Sequence, residues 1–190
     1  MRGSYPRSRR LTLAITFAAL ISVASPISIP IGPVPITLQV FLVFLALALL
    51  GPWYGTLSML IYLLLGATGI PVFAGLSSGV GVLLGPTGGY LFGFALACLL
   101  GGQVVRRRAS TRRLDLIRVS VGCLAGLVVI YLVGVVWLSY YLPDKSLSTA
   151  ILYGALPFIP IDLLKAVVAV PLAVELRWSY LQLPVNRISS

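Results

Sequence analysis

Long apolar segments, separated by clusters of arginine, fill most of this chain of 190 residues. Hydrophobic residues make up 59% of the sequence and charged residues only 9%, whereas soluble domains carry about 25% charged residues. This pattern excludes a soluble globular domain, a disordered tail and a coiled coil. Because a membrane-spanning helix needs about 20 largely apolar residues, the chain has room for roughly six short spans.

The sequence therefore predicts an all-α integral membrane protein of the cell membrane, with six transmembrane helices in a single transmembrane domain over 1–190. A basic tail at 1–10 and a tail at 177–190 flank the helices. The predicted spans are 11–25, 36–50, 56–65, 90–105, 119–141 and 157–176. Between them lie a proline-rich segment at 26–36, a turn at 51–55, a glycine-rich loop at 66–89, a basic loop at 106–118 and a polar turn at 142–148.

The arginines predict the topology. Six spans place both tails, the 51–55 turn and the basic loop on one side, and that side holds all the cations except Lys145 and Lys165. It carries Arg2, Arg7, Arg9, Arg10, Arg106, Arg107, Arg108, Arg112, Arg113, Arg118, Arg177 and Arg187. Because cytoplasmic loops are enriched in Lys and Arg, we expect both termini in the cytoplasm.

Composition also argues against several functions. The net charge of +10 comes from arginines that flank apolar segments, which does not indicate nucleic-acid binding. Histidine is absent, and Cys98 and Cys123 lie in apolar runs, so we expect no metal site, no cofactor and no Ser-His or Cys-His catalysis. With no chain of carboxylates across the membrane and no P-loop, an enzyme is disfavoured, and uphill transport would need energy from another protein.

Asp162 and Lys165 are the strongest candidates for a binding site. Both lie in an otherwise apolar stretch, and a spacing of three puts them on one helical face. A charge at membrane depth costs about 2.5–3.5 kcal/mol on insertion scales, and such residues mark sites or pathways. The structural alternative is an ion pair that only neutralises itself. From Arg177, expected at the cytoplasmic end, Asp162 is about 22 Å along a helix, in the outer half of the membrane.

Other polar residues are expected at the same depth. Gln39 begins the second helix after the proline-rich segment, whose backbone cannot face lipid and must be buried or line a cavity. Tyr90 begins the fourth helix, and Ser77, Ser78 and Thr87 lie in the glycine-rich loop. Together they predict an outward-facing pocket for a small amphiphilic solute, with the flexible loop as a lid.

Small residues recur at helix-packing intervals. Ala14, Ala18 and Ser22 form a stripe on the first helix, and Gly89/Gly93 and Gly122/Gly126 form two GxxxG pairs. Such residues let helices approach closely in lipid. Packing within the chain explains each of them, and the stripe on the first helix also fits contact with a partner.

Four motifs in order, spread over about residues 11–176, resemble the BioY family, the biotin-specific S components of energy-coupling factor (ECF) transporters. They are GPVPITLQ at 32–39, GIPVFAG at 69–75, GPTGGY at 85–90, and the stretch from Pro157-Phe158 to Asp162-x-x-Lys165. The loop at 75–79 is less glycine-rich than the family pattern, and Ile161 stands where a small residue is expected.

The resemblance implies a six-helix subunit that captures biotin from outside and joins a transmembrane coupling subunit and two cytoplasmic ATPases. It implies a substrate site at Asp162, Lys165, Gln39, Tyr90, Phe73, Ser77 and Ser78. It also implies that Ala14 and Ala18 contact the coupling subunit. Three alternatives remain open: an S component for another vitamin such as thiamin, a structural membrane subunit that binds nothing, and a membrane enzyme.

Overall fold

A computed structural model describes residues 7–31, 33–107 and 109–179. Within these ranges the chain forms seven α-helices and one two-stranded antiparallel hairpin. The order is α1 (Arg7–Ala24), β1 (Ser28–Pro30), β2 (Pro35–Thr37), α2 (Gln39–Ala67), α3 (Val80–Leu83), α4 (Gly88–Val105), α5 (Arg112–Ser139), α6 (Leu147–Gly154) and α7 (Ile159–Ser179). The expectations for Arg2, Gly32, Arg108, Arg187 and most of both tails fall outside the described residues. Arg7, Arg9 and Arg10, predicted in the tail, belong to α1.

The helix α2 is a helical hairpin, because its backbone reverses at Gly51. Gly51 has φ 71° and ψ −170°, a conformation that glycine adopts readily, and Pro52 follows it. Gln39 Nε2 donates to Tyr62 Oη at 2.7 Å, although an unbroken helix would hold these residues about 34 Å apart. The arms 39–50 and 52–67 therefore pack side by side, with the break at the start of the turn predicted at 51–55.

The helices α4 and α5 pack through glycines. A Cβ at Gly93 would lie 3.1 Å from the Ile130 Cα, and one at Gly101 would lie 2.5 Å from the Gly122 carbonyl oxygen. Backbones this close leave no room for a side chain. Both predicted GxxxG pairs thus pack within the bundle, since Gly89 meets Trp137 and Gly126 meets Ala97.

The proline-rich segment forms a strand pair, which the sequence did not predict. β1 and β2 pair antiparallel, with Ile29 opposite Ile36 and Pro30 opposite Pro35. Thr37 is buried, but Ile29 is 63% exposed. The expectation that the whole segment is buried or lines a cavity is therefore wrong for β1, whose side chain at Ile29 points outward.

The glycine-rich region is folded and anchored rather than a single open loop. A 3₁₀ turn at Ala74–Leu76 and the one-turn helix α3 lie within it. The Gly75 N–H donates to the Pro26 carbonyl at 3.3 Å. Farther on, the indole of Trp137 donates to the Gly85 carbonyl at 2.9 Å, which ties this region to α5.

Contacts between elements define two ends of the bundle. At the basic end the Arg10 guanidinium lies 5.9 Å from the Tyr54 ring centroid, and Arg177 donates to the carbonyls of Ala48 and Val105. At the opposite end Ser25 and Tyr62 share a hydrogen bond of 2.8 Å. The start of α1, the α2 turn, the end of α4 and the end of α7 therefore lie together.

Within the described part of the chain, three helices are long and apolar enough to cross a membrane: Gln39–Ala67, Gly88–Val105 and Arg112–Ser139. A fourth span results if α6 and α7, which meet at a bend of 50°, are counted as one. The outward faces of the helices are apolar, as a lipid-facing surface requires. On α5 this exposed stripe consists of Val121, Leu124, Val128, Leu132 and Val136.

Candidate functional site

A cavity of about 210 Å³ lies at the end of the bundle away from the arginines. Its walls come from β2, the 73–77 segment, the first turns of α2 and α4, the middle of α5 and the start of α7. Most of its lining is apolar, including Val40, Phe94, Ile130 and Phe158. Polar side chains reach the cavity from the first turns of α2, α4 and α7. The first backbone N–H groups of a helix have no partner within that helix, so unpaired donors lie in the same region.

Asp162 and Lys165 form an ion pair on the cavity wall. Lys165 Nζ lies 2.7 Å from Asp162 Oδ1, and the two side chains are 13% and 6% exposed. Pro157 and Pro160 place the start of α7 here, because proline is tolerated in a first helical turn. Asp162 therefore sits in the first turn, where the helix dipole favours a negative charge.

Tyr131 completes this group, and the sequence analysis missed it. Its hydroxyl donates to Asp162 Oδ2 at 2.7 Å, and it lines the same cavity. Tyrosine in membrane helices concentrates at the two interfaces, so a tyrosine in the middle of the apolar run 127–133 was the available signal.

Gln39 lines the cavity, but its amide also holds the bundle together. Its Nε2 donates to Tyr62 Oη at 2.7 Å, and its Oε1 accepts from the Thr37 hydroxyl at 2.7 Å. Tyr62 in turn shares a 2.8 Å hydrogen bond with Ser25. This buried chain links β2, both arms of α2 and the end of α1. The amide keeps one further N–H, since a side-chain amide has two.

Tyr90 and Phe73 form parts of the wall. The Tyr90 hydroxyl donates to the Gly154 carbonyl at 2.9 Å, which fixes the end of α6. The Phe73 ring meets the Tyr62 ring edge-on, with centroids 5.4 Å apart, and covers the backbone of Gly66.

The polar residues predicted in the glycine-rich loop do not all line the cavity. Ser77 and Thr87 line the cavity, whereas Ser78 does not. The Ser77 hydroxyl donates to the Ala74 carbonyl at 2.8 Å and so closes the 3₁₀ turn. The structure thus brings together Asp162, Lys165, Gln39, Tyr90, Phe73 and Ser77 and leaves Ser78 outside the wall.

Comparison with known proteins identifies the family. The model described as "BioY family" matches residues 1–182. The chain belongs to the BioY family. It is 46% identical over 171 residues to the probable biotin transporter BioY of Pyrococcus horikoshii, covering 90% of this chain and 98% of that protein. It is 47% identical over 169 residues to the biotin transporter BioY of Thermotoga maritima, covering 89% and 96%.

A solved structure supports the same assignment. The S-component for biotin from an ECF-type ABC transporter matches with a TM-score of 0.76 and 34% identity, over 90% of this chain and 92% of that one. This confirms the resemblance drawn from the four motifs and the S-component fold. A BioY chain is a multi-pass membrane transport subunit and not an enzyme.

Two residues expected to contact a partner lie inside this BioY chain. Ala14 is 0% and Ala18 1% exposed, because their face of α1 packs into the bundle. Both methyl groups pack within the chain on the face that also carries Phe17 and Ile21, and their contact with a partner stays a prediction. The outward face of α1 carries Ile15, Ala19 and Val23 instead.

A second buried ion pair, also missed, lies at the basic end. Helix five was predicted to begin at 119, but α5 begins at Arg112, so Asp115 lies in its first turn and is 0% exposed. Arg177 Nε reaches Asp115 Oδ2 at 3.0 Å. Asp162 is therefore not the only buried acid among the described residues, and Arg177, expected at the end of the last helix, is buried there. Thr111, which caps α5 by accepting from the Leu114 N–H, was the signal for the earlier start.

Proposed function

We propose that this chain is the biotin-binding subunit of an ECF-type importer. One observation carries the proposal: a nearly buried Asp162–Lys165 pair faces a largely apolar cavity. The names of the relatives, biotin transporters and an S-component for biotin, support the choice of substrate.

The cavity suits the chemistry of biotin. Its ureido group has two N–H donors and one carbonyl acceptor, its thiophane ring is apolar, and its tail ends in a carboxylate. Asp162 can accept one of the two N–H groups, while Lys165 binds either the carbonyl or the carboxylate. Biotin methyl ester distinguishes these two arrangements, because it lacks the negative charge. Much weaker binding of the ester than of biotin assigns Lys165 to the carboxylate, and equal binding assigns it to the ureido carbonyl.

The direct test is binding of labelled biotin to the purified protein. We expect Asp162→Asn and Lys165→Met each to weaken binding on the order of 100-fold or more, because each leaves the other charge desolvated and unpaired. Glu175→Gln is the matched control. It removes an acid from the same helix, where the exposed Arg112–Glu175 pair lies far from the cavity.

Three results would count against the proposal. Normal biotin binding by both folded cavity variants would show that the site lies elsewhere. Binding of thiamin but not biotin by the unmodified protein would assign the cavity to another vitamin. Binding of neither would leave the pair a structural feature.

The proposal includes six spans, with the cavity facing outward and both termini in the cytoplasm. The arms of α2 count as two spans, α1, α4 and α5 as one each, and α7 with α6 as the last. The support is that the cavity lies opposite the arginine-rich end, which the positive-inside rule assigns to the cytoplasm. Single cysteines at 75–82 and near Asp144 should react with an impermeant reagent added to intact cells, and cysteines at 106–113 should not. The reverse pattern would place the cavity on the cytoplasmic side.

The partners in this proposal are a transmembrane coupling subunit and two cytoplasmic ATPases. The outward face of α1 is the part of that helix which the coupling subunit can reach. We expect Ala19→Trp to leave biotin binding unchanged and to reduce co-purification with the coupling subunit. Ala18→Trp is the matched control: it overfills the interior and should lower both biotin binding and thermal stability. Normal assembly by Ala19→Trp would remove α1 from the interface.

A further inference from the structure

Tyr131 lines the cavity, and its hydroxyl reaches a carboxylate on another helix. Tyr131 is on α5, Asp162 is on α7, and the O–H···O distance is 2.7 Å. Both neighbours of Tyr131 along the chain are apolar, and Gly134 lies one turn farther along α5. The polar contact of Tyr131 is thus directed at the ion pair rather than at a general polar surface.

The hydrogen bonds of the Asp162 carboxylate show what this contact does. A carboxylate has about four acceptor positions, two on each oxygen. Lys165 takes one on Oδ1 and Tyr131 takes one on Oδ2. Among residues 7–31, 33–107 and 109–179, these are the donors that reach this carboxylate. One acceptor position is therefore left on each oxygen.

We propose that Tyr131 is a positioning residue that makes Asp162 selective for a cyclic urea. This inference rests on the proposed binding of biotin. The two N–H groups of a ureido ring point away from each other on either side of its carbonyl, so one carboxylate accepts one of them, at an acceptor position that Lys165 and Tyr131 leave open. Because rotation about the last bond of an aspartate side chain is soft, one hydrogen bond to each oxygen is needed to hold the carboxylate plane in place. Lys165 holds Oδ1 from within α7, and Tyr131 holds Oδ2 from α5.

The reason for selectivity is the cost of an unmade hydrogen bond. When the carboxylate is held in place, a ligand that lacks the ureido N–H facing Asp162 leaves a desolvated acceptor position without a partner. Without the Tyr131 hydroxyl, the carboxylate can rotate, and this rotation partly relieves the cost of the missing hydrogen bond. Tyr131 thus affects the difference between two ligands, and not only the affinity for one.

The test measures the dissociation constants of biotin and of N1′,N3′-dimethylbiotin, which has lost both ureido N–H groups. We expect Tyr131→Phe to bind biotin about 10-fold less tightly, as befits one hydrogen bond to a charged group. We also expect the ratio of the two constants to fall at least threefold relative to the unmodified protein. Tyr140→Phe is the matched control, because Tyr140 caps the same helix and is 72% exposed.

Each result of these measurements either supports or contradicts the proposed role of Tyr131. Equal loss of affinity for both ligands, with the ratio unchanged, would reduce Tyr131 to a packing residue and overturn the proposal. Unchanged binding of both ligands would do the same. If Tyr131→Phe does not purify as folded protein, Tyr131→Leu, which also lacks the hydroxyl, carries the same test. Failure of the unmodified protein to bind biotin contradicts the proposed function instead, and the two failures are therefore distinguishable.

Discussion

The two ends of the bundle each bury an aspartate with a cation, and the surroundings of the two pairs differ. At the basic end Asp115 accepts from Arg177 Nε at 3.0 Å, from the Trp178 indole at 3.1 Å and from the Ala109 N–H at 3.1 Å. At the cavity end Asp162 accepts from Lys165 and Tyr131. The first carboxylate is enclosed by protein, and the second faces a cavity.

The cations differ in the same way. Arg177 also donates to the carbonyls of Ala48 and Val105, and so joins α2, α4, α5 and α7 at one point. Lys165 has three donors and gives one of them to Asp162. A buried charge pair is therefore not in itself a sign of a binding site. The pair proposed to bind biotin differs from the structural pair because it faces a cavity and keeps hydrogen-bonding positions open.

The largest effect should come from breaking the structural pair. Arg177→Met leaves Asp115 charged, buried and without its main partner, and removing one member of such a pair costs about 3–5 kcal/mol. We expect little folded protein, measured as yield and as thermal unfolding in detergent. The matched variant Arg112→Met breaks the exposed pair with Glu175 and should stay within about 1 kcal/mol of the unmodified protein. Equal stability of the two variants would show that the ends do not differ as described.

The next effect comes from replacing each pair by two leucines. Apolar replacement of a buried ion pair is often neutral or stabilising. We expect Asp162→Leu with Lys165→Leu to keep the unfolding temperature and to abolish biotin binding. The same change at Asp115 and Arg177 should remain destabilising, because the carbonyls of Ala48 and Val105 and the Ala109 N–H lose their partners. Similar unfolding temperatures for the two double variants would contradict the comparison.

A smaller effect is expected at the cavity wall itself. A Cβ at Gly66 would lie 2.0 Å from the Phe73 ring, so Gly66→Ala must displace that ring. Overpacking of this kind costs about 1–3 kcal/mol, and here we expect weaker biotin binding as well as lower stability. Gly81→Ala is the control, since nothing lies within 4 Å of a Cβ there. Unchanged binding by Gly66→Ala would remove Phe73 from the functional wall.

The smallest effect on stability is expected at Asp144, an exposed carboxylate that serves as a reference for the two buried ones. Hydrogen bonds from the Thr149 hydroxyl and the Ser146 N–H hold the pKa of Asp144 below its ordinary value. A lowered pKa in the folded state gives stability that is present above the unfolded value and is lost as pH falls through the folded value. Asp144→Asn should therefore unfold slightly earlier at pH 7, and the difference should shrink as pH falls below the unfolded value and vanish below the folded one. A difference that grows on acidification would give the opposite sign and contradict this assignment.

Sequence reasoning found the helical class, the break near Gly51 and the Asp162–Lys165 pair, because each depends on local chemistry. An aspartate and a lysine three positions apart in an apolar run stand out without any structure. Tyr131 did not stand out, since its importance comes from contact with another helix. Asp115 was assigned to a basic loop for the same reason: its partners Arg177 and Trp178 are distant in the chain.

The stripe at Ala14 and Ala18 shows another limit. Small residues at intervals of four indicate a close helix contact, but not which neighbour makes it. The strand pair at 28–37 was missed because prolines argue against regular structure, although they are tolerated in edge strands. Six spans and cytoplasmic termini remain predictions from the distribution of arginine.

The reversal at Gly51 has a consequence for how the protein is made. The first arm of α2, residues 39–50, is about 18 Å long, against a hydrocarbon core of about 30 Å. The end away from Gly51 carries Gln39, whose amide N–H is paired with Tyr62 on the returning arm. An arm this short, with that N–H unpaired before Tyr62 is made, is a poor substrate for insertion as it leaves the ribosome. We therefore expect the two arms to enter the bilayer together, after Tyr62 has been synthesised, as one step of membrane biogenesis.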